Sequence, residues 1–185
     1  KWARDFADLP CLRRYLVGNA WKLGNAYDAL LKTISWRSHN VPLEFTPLAH
    51  DPCFQTRFIE WHGHDKAGRP VLFLTSRWAN MDIPRADRAK FLIMTMEHGV
   101  ELMKPKYNGN VPGIEQWILV VDETNKEWKH MDNKFTTSVT PTVFSNYVEH
   151  LNRCYVLNPG VLTKMVLGAI KMFVDARTSG KIVSI

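Results

Sequence analysis

The 185-residue chain lacks the short signatures that mark most catalytic chemistry. It contains no G-x-S-x-G elbow, no glycine-rich phosphate loop of either common form and no H-E-x-x-H pair. The local marks of serine hydrolases, nucleotide-phosphate sites and zinc peptidases are therefore missing. Cysteine is scarce: Cys11, Cys53 and Cys154 are odd in number, widely spaced and form no C-x-x-C, the pattern of reduced thiols. No apolar run approaches the roughly 18 residues needed to span a bilayer. No basic-then-apolar leader, N-x-Ser/Thr sequon, repeat or low-complexity stretch is present. These absences predict one folded unit with a single large core, in the cytosol.

Charge excludes less. Lys and Arg exceed Asp and Glu by 24 to 18, a net charge of +6, which permits attraction to anionic membranes or nucleic acid. No block of five or six basic residues occurs, however, and a thin spread reads as a solvated basic surface. The aromatic and basic stretch Asn125–His130 is expected to be a loop anchored on the domain by its tryptophan rather than a nucleic-acid stacking platform.

What is present is a regular alternation of elements. Asp8-Leu9-Pro10 starts a helix that keeps helical spacing through Leu12, Tyr15 and Leu16 to Gly18. A second helix after Gly24 carries Tyr27, Leu30, Leu31 and Ile34 on one stripe and runs to Trp36-Arg37. Strands are expected over 56–61 and 70–75, around a turn at 65–69 where Gly68 takes positive φ cheaply. Asp82-Ile83-Pro84 predicts the cap of a long helix, with apolar positions from 89 to 103. Gln116–Asp122 reads as a strand buried on both faces. Helix is expected from about 132 to 150, bent at Thr140-Pro141, then a second buried strand over 153–158, a helix from 161, and a final strand over 182–185. This rhythm implies a mostly parallel sheet with right-handed crossovers behind an N-terminal helical hairpin.

Two residue sets invite a chemical reading. His62 and His64, two apart on a strand, face one side and can share a metal ion, but no third ligand is evident and no metal site is assigned. Asp122 ends a strand where a catalytic acid can sit, yet no nucleophile with a positioned base accompanies it. Its expected role is to hold backbone donors of the following loop, and no enzymatic activity is predicted.

The segment from Pro159 to Ile185 says most. Val161, Leu162, Met165, Val166, Ala169, Ile170 and Phe173 spread over more than a narrow stripe, with Lys164 and Lys171 opposite. So apolar a helix needs a cover: core, partner, membrane surface or lipid. Arg177, Thr178 and Lys181 follow directly and suit a phosphate. The combination points toward lipid rather than catalysis.

In order along the chain, these pieces resemble the CRAL-TRIO lipid-binding family, which includes phosphatidylinositol/phosphatidylcholine exchange proteins. Leu12-Arg-Arg-Tyr-Leu16 and Ser35-Trp-Arg37 resemble its "LLRFL…WR" helical module. Asp65-Lys-Ala-Gly-Arg-Pro-Val71 is similar to "D-x-x-GRPV", and Ile118-Leu-Val-Val-Asp122 to its "ixD" strand. Tyr147-Val-Glu149 through Asn158 resembles "YPERL…yiiNaP", and Phe173–Ile182 resembles "FLDPxTxxKI". The family's "LPxxyGG" tail is absent, so the chain is expected to stop short of the natural domain end.

The resemblance implies an α/β fold: an N-terminal helical module over 1–50, then a lipid-binding domain over 51–185 with a mostly parallel sheet and crossover helices. The helix at 161–173 would be the gate over a lipid cavity. Dissolving lipid tails in water costs about 0.8 kcal/mol per CH₂, so about 30 such groups cost more than about 20 kcal/mol. A carrier must therefore pass the tails between bilayer and cavity without exposing them.

Position by position, the resemblance implies a phosphatidylinositol headgroup site at Glu149, Thr178 and Lys181, with Arg177 as a second charge. The basic "RARK" that often follows "LLRFL" is Val17-Gly18-Asn19-Ala20 here. Where phosphatidylcholine-binding members carry Ser and Thr stand Trp117 and Leu119, so phosphatidylcholine is disfavoured and Trp117 would reshape the cavity. The expected partners are a phospholipid and, transiently, a membrane surface, with no nucleic acid, no cofactor beyond the lipid, and a monomeric state. Two alternatives stay open: a carrier of another hydrophobe (a sterol, tocopherol-like or retinoid molecule), and a membrane-associated scaffold with a structural lipid.

Overall fold

In the computed structural model, Asp8 Oδ1 accepts a hydrogen bond from Cys11 N at 2.8 Å, and Pro10 lies in the first turn it caps. The structure describes residues 1–41, 52–107, 111–161, 163–164 and 179–185. A short helix, α1 (Trp2–Phe6), precedes α2 (Leu9–Gly18) and α3 (Leu23–Asn40). The α2–α3 seam is made by Cys11, Tyr15, Ala26 and Leu30. Small Cys11 and Ala26 let the helix axes approach, which leaves Leu12, Tyr27 and Leu31 outside the seam and exposed.

After a single turn, α4 (Pro52–Gln55), the chain enters a five-stranded sheet in the order β1-β2-β3-β4-β5. The strands are β1 (Ile59–His64), β2 (Pro70–Thr75), β3 (Trp117–Asp122), β4 (Leu151–Leu157) and β5 (Ile182–Ser184). β1 and β2 form an antiparallel hairpin, and every later pair is parallel. The β2–β3 and β3–β4 crossovers step in one direction, so right-handed connections place them on one face. There α5 (Arg85–Leu102) and α6 (Thr140–Ser145) build the core. Phe91, Leu92, Met96, Phe135 and Val143 pack on Leu72, Trp117, Leu119, Cys154 and Val156.

Several expectations are corrected. β1 starts three residues late, because Thr56 closes α4 through Cys53 O and Arg57 turns at φ 54°. Asp82 does not cap α5: Pro84 stands at its start in extended conformation with no side-chain cap. The helix expected to reach 150 ends at Ser145. Its expected bend is a widened π turn over Phe135–Val139, just before Pro141, which has no amide hydrogen to give.

Burial of the strands is one-sided. β3 is buried on both faces only over Trp117–Leu119, and β4 alternates, with Cys154 and Val156 inward. On the outer face Val71, Phe73, Val120 and Tyr155 are half-buried. His62 and His64 are exposed at a break in the β1–β2 register, with Gly63 at φ 65°, so simple alternation does not pair them. No cluster of three or more His, Cys, Asp or Glu suited to a metal occurs among the described residues.

Candidate functional site

A partly open cavity of about 260 Å³ lies against the inner sheet face. Leu74, Leu119, Val121, Cys154, Val156 and Ile182 form its floor, one strand after another, because they share one parity in registered strands. Phe58, Phe135 and Phe144 line it as well. Burial pushes the Cys154 thiol up to about 12, as an apolar wall dictates.

One end of the cavity is polar. Glu123, next after β3 and 5% exposed, carries the floor's parity past Val121. Ser76 Oγ and Thr163 Oγ1 donate to its two carboxylate oxygens, and Lys126 Nζ lies 2.8 Å from Oε2. Beside it, Arg88 is held by Asp132 at 2.6 Å and by Ile83 O at 3.0 Å, with its guanidinium over the Phe135 ring. Arg85, at 2.8 Å, is the main influence holding the Asp132 carboxyl well below the usual range. These charges border the cavity without lying bare in it.

At the opposite, amino ends of the parallel strands, Lys181 Nζ lies 3.1 Å from Glu149 Oε2, both side chains largely buried. Glu149, at φ 61°, also lines a second hollow of about 300 Å³ together with Arg13, Arg14, Arg69, Glu115 and Gln116. Arg14 pairs with Glu115 at 2.9 Å and Arg69 with Asp65 at 3.1 Å. Gln116 Nε2 donates to Glu149 O at 3.1 Å. Ile182, adjacent to Lys181, lies on the cavity floor, so one residue step joins the polar pair to the apolar space.

Of the residues singled out in the sequence, Lys181 and Glu149 are brought together, and Leu119 lines the cavity. Trp117 is fully buried at the same parity, but it is packed among Trp61, Tyr147 and His150 and is not in the cavity wall. Val161 is exposed. Thr178, Arg177 and the gate positions Leu162, Met165, Val166, Ala169, Ile170 and Phe173 lie outside the described residues. Asp122 faces away from the cavity and accepts from Thr124 N at 2.9 Å and Arg77 at 2.8 Å. Burial raises its pKa, but these bonds outweigh burial and leave it below the ordinary value. Trp128, expected to anchor its loop, is instead 73% exposed, since the loop is held by hydrogen bonds of Thr124, Glu127 and His130.

The sequence reading missed Glu123 and the Arg14–Arg69 hollow. Strand parity was a usable signal for Glu123: 117, 119, 121 and 123 share a face. Nothing local could join Arg14 to Arg69, which meet only through the fold.

A mostly parallel α/β sheet with an apolar cavity on one face is the architecture of a ligand-binding domain. The CRAL/TRIO domain matches residues 54–185, and the chain belongs to that lipid-binding family. The protein real-time of Aedes aegypti is 24% identical over 186 residues, spanning 94% of this chain and 28% of that protein. The phosphatidylinositol/phosphatidylcholine transfer protein SFH12 of Arabidopsis thaliana is 24% identical over 171 residues, spanning 88% of this chain and 30% of that protein. The chain thus covers under a third of either relative's length. The crystal structure of Sfh5 shares the fold, with a TM-score of 0.74 at 17% identity over 94% of this chain and 62% of that one. Among the described residues no helix is long and apolar enough to cross a membrane.

Proposed function

We propose that this chain binds phosphatidylinositol and carries or presents it between membranes, touching their surface transiently as a monomer with no other cofactor. In this reading residues 1–50 form a helical module that supplies Arg13 and Arg14, and residues 51–185 form the lipid-binding domain. The tails lie on the floor from Leu74 to Ile182, and the headgroup meets Lys181, Glu149 and the arginine-lined hollow. Lys181 supplies a point charge and the arginines supply forked donors, both suited to phosphate, while Glu149 accepts from inositol hydroxyls. The observation that carries this is the buried Lys181–Glu149 pair, one residue from the cavity floor and beside Arg14 and Arg69. Thr178 and Arg177 join the site by resemblance alone.

The test is extraction of the purified chain with organic solvent and identification of its lipids by mass spectrometry, with Lys181→Ala and Thr178→Ala in parallel. Phosphatidylinositol lost from both variants is the expected result.

A second reading, a carrier of a more compact hydrophobe, draws on the volume. At about 260 Å³ the cavity falls below the roughly 300–1,000 Å³ usual for drug-sized ligands. A neutral ligand retained in Lys181→Ala would favour it.

A further inference from the structure

The carboxyl ends of β2, β3 and β4 bring three loops to one rim of the sheet. The Ser76–Trp78 turn lies against the Trp128–His130 turn, and Trp128 shares a surface groove of about 460 Å³ with Gly160 and Val161. Three large apolar side chains stand out on this rim: Trp128 at 73% exposure, Val161 at 78% and Trp78 at 42%. A single exposed apolar residue is unremarkable, but a cluster of this kind marks an interaction surface.

The tryptophan turn is built rather than loose. Glu127 and His130 close a reciprocal capping box around it, with His130 Nδ1 accepting from Glu127 N at 3.0 Å. Thr124 ties its base to Asp122, and Asn158 donates to Thr124 Oγ1 at 2.9 Å. The groove adjoins the apolar cavity, since Glu123, Lys126 and Thr163 line both. The charges are arranged with a bias. Asp122 pairs with Arg77 and the buried Glu123 with Lys126, while Lys129, paired with Glu127, and Lys164 stand at the surface.

We infer that this rim is the face that docks on an anionic bilayer, with Trp128 inserted at the headgroup level beside Val161 and Trp78. An amphipathic indole on a fixed turn suits the membrane interface, and exposed lysines flanking it suit acidic headgroups. The inference rests on the lipid-carrier reading: a cavity that adjoins this rim receives lipid with least exposure to water when the rim faces the membrane.

The test is flotation of the whole chain with vesicles of equimolar phosphatidylcholine and phosphatidylserine, alongside mass spectrometry of the lipid each purified protein carries. Trp128→Ala is expected to weaken vesicle partitioning about tenfold, Trp128→Phe to keep most of it, and all three to carry the same lipid and melt alike. Partitioning equal in Trp128→Ala and the native chain overturns the inference. So does a native chain that does not float, which would leave a protein as the occupant of the rim. A chain that floats through Trp128 yet carries no lipid upholds the docking face and instead defeats the carrier reading.

Discussion

Lys181 Nζ and Glu149 Oε2 lie 3.1 Å apart although 32 residues separate them in the chain. The contact spans from the turn before β4 to the turn before β5, at the amino ends of two parallel strands. Lys181→Ala removes one charged partner of the largely buried Glu149 carboxylate, which costs about 1–3 kcal/mol of stability. Phosphatidylinositol retention is expected to fall about ten- to a hundredfold with it. Lys181→Met combined with Glu149→Leu should regain most of the stability and none of the phosphatidylinositol. Thermal melts and lipid extraction separate the two effects. Phosphatidylinositol retained by the double variant would refute the headgroup assignment.

Gly99 in α5 lies under the indole of Trp61. A Cβ there would come within 2.1 Å of Trp61 Cζ2. The ring cannot swing aside freely, since its Nε1 donates to Thr95 O at 2.8 Å and its edge meets Trp117. Gly99→Ala is therefore expected to lower stability by about 1–3 kcal/mol through overpacking, against the small gain that alanine usually brings within a helix. Denaturant unfolding measures it; an unchanged midpoint would show that the indole moves.

His150 stacks on Trp117 at 4.9 Å, and its Nδ1 meets Glu115 O at 2.8 Å. Burial, helped by Arg14 and Arg37, pushes its pKa from 6.5 down to about 3. Below pH 6.5 the unfolded chain then binds a proton that the folded one refuses. Its contribution is whole above that value and is lost as pH falls toward 3, at up to about 1.4 kcal/mol per pH unit. His150→Gln should flatten the stability–pH curve across this window relative to the native chain. Parallel curves would mean that His150 titrates normally.

Thr163 Oγ1 donates to Glu123 in the first turn of the segment that follows β4. Thr163→Val deletes this tie while Ser76 and Lys126 still hold Glu123. If that segment gates the cavity, loss of one hydrogen bond should speed exchange of a fluorescent lipid between vesicles about fivefold. A rate equal to the native one would place the barrier elsewhere.

Much of the framework was legible from local pattern. Asp8 and Pro10 mark the start of α2, and Gly68 with its flanking residues marks the turn before β2, whose bounds are as expected. These signals act within a few residues. β1 and the helix after Phe135 were misplaced because their bounds depend on a side-chain cap at Thr56 and a π turn before Pro141, which apolar periodicity does not report.

The ordered motifs of the sequence by themselves determined family and architecture, because alternation, turn chemistry and strand parity are properties of neighbouring residues. Only the tertiary structure decided the site. It set Lys181 against Glu149, brought Arg14 and Arg69 to one hollow, took Trp117 out of the cavity wall and left Trp128 exposed. Parity gives a side chain its face, but the elements packed on that face settle whether it lines a space, fills it or meets a charge.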